Sequence, residues 1–83
     1  MVRYTGFSLP QVRWVCARLK EEVQGHRTGG RFNIAYRAEA LGQGILETWN
    51  LFQGSRGSVN QNFYHRELCS LLDNAANNWG IRY

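Results

Sequence analysis

An 83-residue chain has room for one domain built around one modest core. Its 43% hydrophobic content, with 13% aromatics, excludes a disordered composition. The formal charge of +4 arises within residues 1–31, where Arg3, Arg13, Arg18, Lys20, Arg27 and Arg31 face only Glu21 and Glu22, while the remainder cancels. Such asymmetry points to an anionic partner met by one end of the molecule.

In chain order, Ser8 and Gln11 form an S-x-x-Q capping box, with Phe7 and Val12 at the two hydrophobic-staple positions. Pro10 fits the first helical turn, where a missing N–H costs nothing. Leu9, Val12, Cys16, Leu19 and Val23 follow as one apolar stripe, and Gly25 supplies a left-handed stop. The first helix is therefore predicted over about 8–24. Gly25 to Arg31 then reads as a flexible interhelical turn.

The stripe Ile34, Ala38, Leu41, Ile45, Trp49 and Phe52 predicts a second helix over about 31–53. Gly42 and Gly44 lower its propensity, and because Ala38 and Gly42 lie on the stripe, close approach of another helix is expected there. After the turn Gly54–Gly57, Ser58 and Gln61 repeat the capping box and open a third helix over about 58–79. Its stripe is Tyr64, Leu68, Leu71, Leu72, Ala75 and Trp79, and Gly80 ends it with Ile81 placed for a Schellman-type contact. The expected fold is all-α, an antiparallel three-helix bundle in one helical domain, residues 1–83, with Gly-rich turns.

Three aromatics fall off these stripes. At about 100° per residue, Trp14 lies nearly opposite the first stripe beside Arg18, and Tyr36 lies nearly opposite the second. Phe63 lies well off the third, next to Arg66. Trp, Tyr and Arg dominate interface hot spots, and they also stack bases and hold phosphates. Ordinary packing is the bland alternative: Tyr4 or Tyr83 from a terminal tail folds over Trp14, or a homodimer buries a second face.

Chemistry finds little support. Cys16, His26, His65 and Cys69 would make a Cys₂His₂ set, but they lack the paired short spacings of a zinc site, so no metal or other cofactor is expected. The segment GHRTGGR lacks the order of a nucleotide-binding P-loop and any preceding strand. Cys69 and His65 are the only local nucleophile–base pair, with no oxyanion hole in sight, and an enzyme is not expected. Two widely separated cysteines, no apolar signal segment and no apolar run of membrane-spanning length imply a reduced, cytoplasmic setting without a membrane.

The leading expectation is a non-enzymatic protein-interaction module, an inhibitor, adaptor or small subunit of a larger assembly, one that handles nucleic acid being among the options. Its partner is acidic at the contact, and the docking residues are Arg13, Trp14, Arg18, Lys20, Arg27, Arg31, Tyr36, Phe63 and Arg66. The alternative is direct nucleic-acid binding by the basic first third. Glu21 and Glu22 on the same helix count against a phosphate-tracking face.

Overall fold

The structure, a computed structural model, describes residues 8–82. Phe7, Tyr4 and Tyr83, and with them the staple and the tail rings, lie outside the described residues. Three helices follow in order, α1 (Leu9–Thr28), α2 (Phe32–Gly54) and α3 (Gln61–Trp79), and no strand occurs among the described residues. The fold is an all-α bundle.

Successive helices run antiparallel. Leu19 of α1 lies beside Gly42 of α2, and Arg27 reaches back to Glu39. Phe52 near the end of α2 meets His65 near the start of α3, while Gly44 lies beside Leu71. The core is Val12, Val15, Cys16 and Leu19 from α1, Ala38, Leu41, Ile45 and Trp49 from α2, and Leu68, Leu72 and Ala75 from α3. Helical spacing places these groups on single faces, so all three helices bury one stripe each. At the rims the stripes fade: Leu9 is exposed, and Val23, Phe52, Leu71 and Trp79 are only half-buried.

Helix ends depart from expectation in three places. Gly25 does not stop α1, which continues one turn to Thr28; Gly30 takes the left-handed conformation instead, at φ 79°. Arg31 N–H donates to the His26 carbonyl at 2.7 Å and Gly30 N–H to that of Arg27 at 3.1 Å, which is the Schellman pattern. A glycine can remain helical, and the pair of capping bonds is available only where the chain reverses.

Second, α3 starts at Gln61, not Ser58. The Ser58 hydroxyl donates to the Ser55 carbonyl at 2.7 Å and accepts from Asn60 N–H, so it is spent within the turn. Gln61 reaches back to Gly57 N–H at 2.9 Å. At α1 the reach-back is as expected, with Gln11 Oε1 accepting from Ser8 N–H at 3.0 Å.

Third, Gly80 ends α3 at φ 66°, but as a simple left-handed cap in which its N–H donates to the Ala76 carbonyl at 3.1 Å. Ile81 N–H bonds the Ala75 carbonyl at 3.2 Å and the side chain is completely enclosed. The chain thus turns back and puts one more aliphatic group into the core. Neither mid-helix glycine of α2 is forced by crowding, since a Cβ at Gly42 would rest 3.8 Å from Leu19 Cδ1, an ordinary contact.

Ile81→Ala should therefore lower unfolding free energy by about 2–4 kcal/mol, a core-sized loss from a position beyond the last helix. Gly42→Ala should raise it by about 0.5–1 kcal/mol. Urea denaturation followed by circular dichroism measures both, and a negligible Ile81→Ala effect would refute its role in the core.

Candidate docking surface

The basic residues of α1 divide into two sets on opposite shoulders of the helix. Arg13, Lys20 and Arg27 are spaced by seven, so they form one edge with a drift of only about 20° and a rise of about 10 Å per step. All three are exposed. This edge faces the α2 side, because Arg27 Nη2 lies 3.8 Å from Glu39 Oε1 and Lys20 borders a groove between the two helices. The groove, about 320 Å³, has an apolar floor of Leu19, Val23, Ala38, Gly42 and Leu46.

Arg18 lies about 160° round the helix from Lys20. It is held twice, by Glu21 at 2.6 Å and over the Trp14 ring at 5.9 Å. Glu22 pairs with His26 at 3.3 Å, on the same side of α1. Both carboxylates of this helix thus lie away from the Arg13–Lys20–Arg27 edge, and the objection that they break up a basic face does not apply to that edge.

Trp14, at 52% exposure, is neither core nor free. Its indole N–H donates to the Arg82 carbonyl at 2.8 Å, so the segment following α3 does reach the ring. Tyr36 and Phe63 are more open, at 71% and 58%. The three rings do not form one patch. Each projects from a different helix, away from the shared core, so the directions diverge. Tyr36 is near the start of α2 and Phe63 near the start of the antiparallel α3, which separates them by more than about 20 Å along the bundle. Arg66 stays beside Phe63, one turn on, and Phe63 packs edge-on against Tyr64 at 5.2 Å. Arg31 is tied to the α1–α2 turn, its Nε donating to His26 Nδ1 at 2.8 Å.

Charge and helical-wheel position single out these nine residues in the sequence, but not the groove. Its signal was the 13/20/27 spacing together with the small residues Ala38 and Gly42 facing it, but which side of α1 meets α2 is set only by packing.

Neither thiol is activated. Burial pushes Cys16 up, with Lys20 opposing, and burial followed by the Asp73 charge pushes Cys69 up. Cys69 Sγ lies 3.9 Å from His65 Nδ1, yet a raised thiol is the reverse of what a nucleophile needs. Among the described residues no group of three or more His, Cys, Asp or Glu converges to hold a metal, and no helix is long and apolar enough to cross a membrane. Compared with family models, curated proteins and solved structures, the chain matches none.

Two outcomes follow from this geometry. Trp14→Ala should leave the bundle folded, at a cost near the roughly 0.5–1.5 kcal/mol of one hydrogen bond plus lost contact area; unfolding at room temperature would make Trp14 a core residue. The raised thiols stabilise the fold at pH values below the unfolded-state thiol pKa, and that contribution is lost as pH climbs through the folded-state values. Between about pH 8 and pH 10 wild type should lose more stability than a Cys16→Ala, Cys69→Ala variant. Equal losses in thermal melts would contradict the shifts.

Proposed function

We propose that this protein is a non-enzymatic interaction module that docks an acidic protein segment along the α1–α2 side. One observation carries the reading: Lys20, in the middle of the basic edge Arg13–Lys20–Arg27, borders a groove with an apolar floor of Leu19, Val23, Ala38, Gly42 and Leu46. The one carboxylate of that groove, Glu39, already faces Arg27. An amphipathic acidic helix suits both parts at once, with an apolar side chain in the groove and carboxylates against the cations. Cations alone would suit any polyanion. The apolar floor favours a peptide over a phosphate backbone, which offers nothing to fill it.

Nucleic acid is the second reading, favoured by the absence of Glu21 and Glu22 from that edge. The two differ in salt response and in what removes binding. Three phosphate contacts on duplex DNA would give a log–log salt slope of about −3 and little dependence on Leu46.

Fluorescence anisotropy with a labelled Glu/Leu amphipathic peptide, single-stranded RNA and duplex DNA separates them. Peptide binding in the micromolar range is expected, weakened about tenfold or more by Lys20→Glu and also by Leu46→Asp. Arg18→Glu, on the opposite shoulder, should change it less than about threefold. Tighter binding to RNA or DNA, insensitive to Leu46→Asp, would move the assignment to nucleic acid. Loss with Arg18→Glu and not with Lys20→Glu would move the docking face to the Trp14 shoulder.

A further inference from the structure

A second concavity lies at the other end of the bundle from the start of α1, where the last turns of α1, the first of α2 and the last of α3 meet. It is an open concavity of about 880 Å³, within the size range of small-molecule sites. Its lining combines the aromatic residues Tyr36 and Trp79, a cation from Arg37, and the amides of Asn74 and Asn78. Nothing in the docking reading uses these residues, which come from other edges of α2 and α3.

The charges in the cleft are mostly settled. Glu22, the one carboxylate in the lining, is engaged by His26 Nε2 at 3.3 Å. His26 Nδ1 accepts from Arg31 Nε at 2.8 Å, so carboxylate, imidazole and guanidinium form one chain with a cation at its far end. Arg37 remains outside that chain, with no ion pair among the described residues. Arg37 is therefore the cation of the lining that no carboxylate among the described residues holds, while Glu22 is engaged by His26.

The asparagine pair is also half-used. Asn78 Nδ2 donates to Asn74 Oδ1 at 2.6 Å. This leaves the Asn74 amide N–H₂ and the Asn78 carbonyl oxygen as a donor and an acceptor available to a ligand. An adjacent donor and acceptor is what asparagine offers to the edge of a nucleobase. The His26 ring stands edge-on to Trp79 at 5.9 Å, which fixes the indole as a wall.

We propose that this cleft binds a small planar heteroaromatic anion of the mononucleotide type. The ring lies against Trp79 and Tyr36, its polar edge meets Asn74 and Asn78, and its anionic group pairs with Arg37. This proposal is independent of the docking reading and survives or fails separately from it.

Adenosine monophosphate is the probe, titrated to about 10 mM against the full chain by two-dimensional amide NMR. Expected are saturable shifts of the Trp79 indole N–H and the Asn74 and Asn78 side-chain amides. Arg37→Ala should weaken binding about tenfold or more, the loss of one charge-assisted hydrogen bond, and should leave the fold intact because the side chain is exposed. Asn78→Ala should weaken it as well, by removing the polar edge. Three results overturn the proposal. They are no shifts at the highest concentration, the same shifts and affinity with inorganic phosphate (an adventitious ion only), or shifts confined to Arg13, Lys20 and Arg27.

Discussion

α2 packs broadly against both neighbours, whereas α1 and α3 meet each other sparingly. A bundle of three helices with an open seam leaves core side chains facing water along one side. The segment after Gly80 relieves this. Its reversal at φ 66° places Ile81 in the core, bonds the α3 carbonyl of Ala75, and brings the Arg82 carbonyl to Trp14 on α1. Burying such a side chain is worth about 1.5–3 kcal/mol, a large share of what a domain this small has to spare. The rest of the arrangement depends on this closure, because the shoulder of α1 that carries Trp14 and Arg18 is committed to the seam. Only the opposite shoulder stays open.

That division explains how one helix carries two kinds of arginine. On the seam side, Arg18 is held by Glu21 and by the Trp14 ring, and Glu22 by His26. These are partly exposed pairs whose energies are small, but they orient the side chains and neutralise that face. On the open side, Arg13 and Lys20 have no carboxylate partner among the described residues, and Arg27 has only Glu39 at 3.8 Å. Net charge alone describes neither face. The small residues Ala38 and Gly42 shape a groove at the helix crossing without being required for close packing, since ordinary space remains around Gly42.

The two ends of the bundle differ in the same way. At the end where α2 passes into α3, Ser55 and Ser58 close the turn on themselves, and Phe63 and Leu51 remain exposed. At the end where α1 passes into α2, the Schellman bonds of Gly30 and Arg31 hold His26 against Trp79, and the three helix ends frame an open cleft. In this glycine-rich turn the N–H groups of Gly29, Gly30 and Arg31 all bond to carbonyls of the last turn of α1.

The sequence by itself determined three helices, most of the residues each buries (Val15, off the predicted stripe, and exposed Leu9 apart), and the glycine that terminates the last. Those features follow from local chemistry: apolar residues at spacings of three and four, an S-x-x-Q box before α1, and a residue without Cβ where the chain must reverse. Even so, local rules placed the end of α1 at Gly25 and the start of α3 at Ser58. Both were displaced because the capping bonds went where packing left the turn free to make them. What only tertiary structure decided was which side of each helix meets which neighbour. A helical wheel gives angles relative to its own axis and carries no information about the next helix. Hence Trp14, Tyr36 and Phe63 looked like one set of anchors but diverge in space. The spacing of seven already put Arg13, Lys20 and Arg27 on one edge of α1, but only packing set that edge beside α2.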